Sequence, residues 1–218
     1  MRERYRLAVL VSHPVQYYYQ LYRELAGLEE VELTVYFCWE GETGGAVYEP
    51  NFQTEVSWDL PLLEGYTHRF LKNYSPDPFL PFFGFINPGI VSELGRNRYD
   101  AVFVWGYSHL SSWLAFLGAA LWRTPLFLGG SVTRRPGERR GKRLVKRAIL
   151  SPLFKRTAAF LSECDKNSDY YLFYGGRREK MGVRGREEVS KWNYRVAAEE
   201  ILRALRSLRA GKRPGYSR

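Results

Sequence analysis

The order of apolar and polar positions along the chain predicts strands alternating with helices. Tyr5 to Ser12 (YRLAVLVS) is a charged lead followed by a continuous apolar run, the pattern of a strand covered on both faces in a parallel sheet, and His13 and Pro14 end it. Tyr17 to Leu28 places Tyr18, Leu21, Tyr22 and Leu25 at helical spacing and closes near Gly27. Val31 to Cys38 alternates and is β-branched, and Tyr99 to Gly106 (YDAVFVWG) is a further strand. The stretch between them is rich in aromatics and proline; its His68, in a short predicted strand, reads as structural. From Tyr107 the alternation resumes with a helix over Ser111 to Leu121, a strand over Pro125 to Leu128, a basic helix over Lys142 to Leu150 and a strand over Ala158 to Ser162. The last periodic element is Glu187 to Leu208, where Val189, Trp192, Val196, Ile201, Leu202, Leu205 and Leu208 recur at helical spacing before Gly211 and Pro214. The expected fold class is α/β: a single Rossmann-like, doubly wound parallel sheet with a long C-terminal helix packed on it.

Composition narrows the setting. With 45% apolar residues in 218, the chain has enough hydrophobic surface for one generous domain or two tight ones, which excludes whole-chain disorder. Cys38 and Cys164 lack the spacing of a metal knuckle or a redox pair, and the N-terminus carries no signal-peptide pattern, so a reducing, cytoplasmic location is expected. The most apolar run, Trp113 to Trp122, is stopped by Arg123 and Pro125, well short of the roughly 20 residues of a membrane-spanning helix.

Charge changes the picture more. The net charge is +10, and Arg134 to Arg156 holds ten Lys or Arg against Glu138 alone. Within that segment Leu144, Val145, Ala148, Ile149 and Leu153 form an apolar stripe beside Lys142, Arg143, Lys146 and Arg147. Such a helix suits an anionic membrane surface, here the inner face, where Phe79, Phe82, Phe83 and Phe85 would add insertion. It equally suits a helix that packs on the sheet and solvates its basic face. Nucleic acid ranks lower as a partner, because no recognised nucleic-acid module accompanies the charge.

Ligands of open α/β sheets sit at the carboxyl ends of the strands, which directs attention to three turns. The first is Ser12, His13, Pro14, Val15, Gln16 and Tyr17, whose hydroxyl, imidazole and amide suit a sugar or its phosphate at a helix N-terminus; the plainer role for His13 is to cap that helix. The second is Gly106, Tyr107, Ser108 and His109, with His109 either an acid/base or a surface residue of a helix start. The third is Gly129, Gly130 and Ser131, a turn suited to close approach by a phosphate or sugar. No phosphate loop, GxGxxG, HExxH or DxD metal pair is present, and neither a metal nor a cofactor is predicted.

The run SHPVQYYYQLYRELA, Ser12 to Ala26, resembles the first strand-to-helix turn of family 4 glycosyltransferases of the GT-B fold. The resemblance continues through Trp58 to Asn73, Phe83 to Leu94, Tyr99 to Ala115 and Phe160 to Gly176, in order over most of residues 6–181. It implies an acceptor-side domain over 1–181, from an architecture in which a second domain mainly grips the nucleotide-sugar donor. After Tyr174-Gly175-Gly176-Arg177-Arg178-Glu179-Lys180-Met181, where such enzymes would enter that second domain, this chain proceeds to Gly185 to Leu205. That run resembles the family's C-terminal crossover helix, so 185–210 is expected to pack on the first domain, with a basic tail over 211–218 and a deletion between about Met181 and Arg184. Relatives place a His or an Arg-Gly-Glu-Ser run where this chain has Leu128-Gly129-Gly130-Ser131, which counts against catalysis by the chain alone.

Two functions follow from the resemblance. One is the acceptor half of a retaining glycosyltransferase acting on a lipid-linked or polysaccharide acceptor, inactive by itself. The other is a non-catalytic glycan or glycolipid binder, or the partner of a separate donor-domain chain.

Overall fold

A computed structural model describes residues 4–41, 47–49, 54–56, 61–130, 132–133, 137, 139–162, 164–182 and 194–210. Its framework is a seven-stranded sheet built from β1 (Tyr5–Val11), β2 (Val31–Phe37), β5 (Thr67–Phe70), β6 (Ala101–Trp105), β7 (Leu126–Gly129), β8 (Ala159–Leu161) and β9 (Met181–Gly182). The short strands β3 (Val47–Glu49) and β4 (Thr54–Val56) form a separate antiparallel pair. The sheet order is β5-β2-β1-β6-β7-β8-β9, with every neighbouring pair parallel.

Strand β1 shows why the opening run is apolar throughout. Leu7, Val9 and Val11 point into one core with α1 (Gln16–Gly27) and α6 (Tyr194–Arg209), while Ala8 and Leu10 point into the other with α2 (Gly89–Asn97), α3 (Leu110–Leu121), α4 (Arg140–Arg156) and α5 (Asp165–Phe173). The first core is closed by α6, whose Ala197, Ala198, Ile201, Leu202, Ala204 and Leu205 are buried together with Leu21, Tyr22 and Leu25 of α1. Arg206 pairs with Glu30, and the Arg209 guanidinium lies 4.3 Å from the centre of the Tyr5 ring, so the helix is tied at its far end too. Val196, expected on the buried stripe, is exposed; three alanines take that face and let α6 lie close on α1. Val189 and Trp192 of the predicted helix lie outside the described residues.

The basic helix also differs from expectation. It runs through Pro152 to Arg156 because Leu150 and Phe154 are buried in the second core, and that burial outweighs the hydrogen bond the proline lacks. Helices α2 and α3 both end on an arginine in the left-handed region, Arg98 (φ 48°) and Arg123 (φ 54°), where glycine is usual. No helix among the described residues is long and apolar enough to cross a membrane.

Candidate functional site

The sheet order reverses between β1 and β6: the chain moves outward from β1 through β2 to β5, then returns to the other side of β1 as β6. A crevice opens at the carboxyl ends of strands at such a point. Here it is a cavity of about 240 Å³, lined among others by Ser12, Tyr18, Trp105, Gly106, Ser108, His109 and Gly130.

Two loops shape it. Gly106 follows β6 at φ 74° and donates its N–H to the Gly129 carbonyl at 2.7 Å. Gly130 follows β7 at φ 133°, and a Cβ there would stand 3.2 Å from the Gly106 nitrogen. Only glycine lets these two turns lie against each other and leave the space beyond them open. Buried Asn167 fixes the second turn by donating Nδ2 to the carbonyls of Gly130 (2.8 Å) and Val132 (2.9 Å). Asn87 does the same on the opposite side, donating Nδ2 to the carbonyls of Cys38 (2.8 Å) and Leu71 (3.2 Å) and accepting the Ser111 hydroxyl at 2.7 Å.

The sequence-derived residues separate into those that reach the cavity and those that do not. Ser12, Gly106, Ser108, His109 and Gly130 line it. His13 and Gln16 do not line it; His13 does not cap α1, whose N-cap is Val15 with no side-chain cap, and its ring instead lies edge-on to Trp39 at 6.3 Å. Tyr107 turns away, its hydroxyl bonded to that of Tyr170 and its ring against Phe154, because the second core offers it a buried partner. Gly129 is a buried residue of β7 under the Phe103 ring. The side chain of Tyr17 and all of Ser131 lie outside the described residues.

His109 is the N-cap residue of α3 and stacks edge-on with Phe85 at 4.6 Å. Its ring bonds to the backbone of Pro81, and burial lowers its pKa from the ordinary histidine value. Burial lowers that of His13 as well, with a further contribution from repulsion by His109. Both imidazoles are therefore neutral at pH 7, and Nδ1 of each is buried without a hydrogen-bond partner among the described residues. Unpaired buried polar atoms of this kind cost about 1–3 kcal/mol each, so folding gains nothing from their polarity.

Among the lining residues that escaped the sequence reading, Tyr18, Trp105 and Cys38 bear on the cavity's chemistry. Tyr18 has the spacing of a core residue of α1, yet its ring stacks on Trp105 at 3.9 Å and 19°, forming an aromatic wall of the cavity. Cys38 also lines it, but burial pushes its thiol up to about 12, so it is no thiolate nucleophile. The signal available for Trp105 was its place as the last residue of a strand beside the switch point.

No protein-family model matches the sequence, and no curated protein matches it. Solved structures do match. One from Anabaena, Alr3699/HepE in complex with UDP-glucose, aligns at TM-score 0.51 and 13% identity over 82% of this chain and 43% of its own. A UDP-N-acetylglucosamine 2-epimerase aligns at 0.53 and 10% over 83% and 48%. The UDP-GlcNAc 2-epimerase of Neisseria meningitidis, bound to UDP-GlcNAc, aligns at 0.50 and 14% over 93% and 50%. The fold is half of a GT-B fold. The chain spans about half the length of the structures it matches, and in GT-B terms the cavity at the β1–β6 switch point lies at the carboxyl edge of that half.

Proposed function

We propose that this chain is the acceptor-side part of a family 4-like glycosyltransferase, serving transfer of a sugar from a nucleotide sugar to a lipid-linked or polysaccharide acceptor. The observation that carries this reading is the cavity itself, whose lining combines the stacked pair Tyr18 and Trp105 with Ser12, Ser108 and the neutral imidazole of His109. An apolar face with a few placed polar groups suits a sugar ring, and a neutral histidine suits the proton of an acceptor hydroxyl. Crossing of 185–210 back from a missing donor half belongs to this proposal. Ligand-observed NMR with a panel of free mono- and disaccharides tests it: binding is expected, and Tyr18→Ala or Ser108→Ala should remove it. In calorimetry the isolated chain should take up UDP-glucose weakly or not at all; micromolar affinity would sink the missing-donor reading. Turnover should appear only when a separate donor-domain chain is supplied, and saccharide binding without turnover in that mixture would favour the non-catalytic binder.

A second reading concerns location. Leu144, Val145 and Ile149 are 66%, 61% and 50% exposed on α4. We infer that this face rests on an anionic membrane, with Lys142, Arg143 and Arg147 beside it. Lys146 is the exception among the four cations: it sits over the rings of Tyr170 (5.8 Å) and Tyr174 (5.9 Å). Each free cation contributes about 1 kcal/mol at such a surface, so replacing all four with Gln should abolish cosedimentation with phosphatidylserine-containing vesicles. Unchanged sedimentation would make α4 a solvated face only.

A further inference from the structure

A second cavity, of about 550 Å³, lies far from the switch point, between α3 and α4. Its walls are apolar, with Trp113, Phe116 and Leu117 from α3 and Ile149, Pro152 and Leu153 from α4. The floor is Thr124, Pro125 and Leu126, at the amino end of β7, so the groove opens at the edge of the sheet opposite the sugar-sized cavity. Its volume lies within the roughly 300–1,000 Å³ of small-molecule sites.

Two cations stand at its mouth. Arg123 follows α3 and Arg156 ends α4; both line the groove, and neither has a carboxylate partner among the described residues. Arg123 also stands at a cost. The Thr124 N–H bonds to the Ala119 carbonyl at 2.9 Å, closing α3 in the manner that places the intervening residue at positive φ, and that residue is an arginine at 54°. Arg98 ends α2 in the same conformation, so that conformation belongs to the helix end; what bears on a ligand is that two exposed cations, without a carboxylate partner among the described residues, line an apolar groove.

We propose that the groove takes the alkyl chain of an anionic amphiphile, its phosphate held by Arg123 and Arg156. The inference extends the membrane reading by naming what this face draws from the surface, and it does not depend on the sugar cavity. The occupant follows from complementarity: the walls exclude polar groups, the mouth is doubly cationic, and the neighbouring α4 face carries more cations and the exposed Leu144 and Val145.

Dodecyl phosphate, kept below its micelle-forming concentration, is the probe. Calorimetry should show saturable one-to-one binding. Octyl phosphate should bind at least about tenfold more weakly, because each methylene seated adds about fourfold in affinity. Arg123→Gln with Arg156→Gln should weaken dodecyl phosphate about tenfold or more without lowering Tm, since both side chains are exposed. Ala120→Phe, which fills the groove from an exposed position, should abolish binding. Inorganic phosphate at the same concentration should not compete. Equal binding by parent and variants, no gain from octyl to dodecyl, or a dimer that Ala120→Phe dissociates in sedimentation would overturn the proposal; the last would make the groove a self-interface. If the four-Gln α4 variant loses vesicles yet still binds dodecyl phosphate like the parent, the groove stands. Normal vesicle binding with no dodecyl phosphate uptake sinks the groove and leaves the surface reading in place.

Discussion

Asn87 offers a direct probe of how the cavity is held. Its side chain is fully buried and joins three segments: the end of β2 through the Cys38 carbonyl, the chain after β5 through the Leu71 carbonyl, and the first turn of α3 through the Ser111 hydroxyl. Asn87→Ala strands two carbonyls and weakens the hold on Ser111, which keeps its bond from the Asn87 N–H at 2.9 Å. At about 1–3 kcal/mol for each buried group left unpaired, and with the Leu71 bond the longer of the pair, the loss should be about 3 kcal/mol. In a chain of this length 1 kcal/mol moves Tm by about 2–4 °C, so a fall of about 6–12 °C is expected in a thermal melt. Asn87→Asp separates hydrogen bonding from packing. It has nearly the same shape, yet its carboxylate would face two carbonyls, so at pH 7 it should melt at or below the alanine variant and recover as pH falls and the group protonates. A drop of less than about 3 °C for Asn87→Ala would mean that these bonds do not hold the cavity together.

Three further outcomes follow. The lowered pKa values of His13 and His109 mean that the unfolded chain binds their protons first; stability is full above the unfolded value of 6.5 and is lost as pH falls below it, and His13→Gln with His109→Gln should flatten the Tm profile between pH 7.5 and 5.5. Leu205→Ala in α6 removes a buried side chain and should cost about 2–5 kcal/mol in chemical denaturation, whereas a negligible shift in midpoint would deny that α6 closes the first core. Arg123→Gly relieves the left-handed arginine and should raise stability by about 1 kcal/mol in the same assay, with Arg98→Gly after α2 as the matched control far from the groove.

The alternation of elements was legible because each strand and helix carries its own period. The continuous apolar run of β1 announces a strand buried on both faces, and Leu21, Tyr22 and Leu25 announce the inner face of α1. Helix α4 runs beyond the expected end at Leu150 to Arg156, with Pro152 inside it, because the tertiary burial of Phe154 outweighs the local cost of the proline. Val196 differs from the expected stripe because the buried face of α6 against α1 is made by Ala197, Ala198, Ile201, Leu202 and Leu205, which leaves Val196 exposed.

The cavity was legible by position and less so by identity. Topology alone points to the turns after β1, β6 and β7, and Ser12, Gly106, Ser108, His109 and Gly130 all reach the space between them. Which side chains of a turn face inward is set by what lies behind it, and that is a long-range matter. Tyr107 is drawn off by Tyr170, sixty-three residues later in the chain, whereas Tyr18, packed against the first core, stacks on Trp105 and lines the cavity with it. The two asparagines that shape the walls illustrate the same limit. Asn87 and Asn167 carry no motif, and their value lies in being buried amides that each meet two backbone carbonyls distant in sequence from themselves, on two segments for Asn87 and on one turn for Asn167. An amide that meets two carbonyls with one NH2 has few replacements: a carboxylate repels them, a hydroxyl reaches one, and an apolar group leaves both unpaired. Substitution at Asn167 should therefore act on the cavity through the Gly130 turn, because Asn167 does not itself line it.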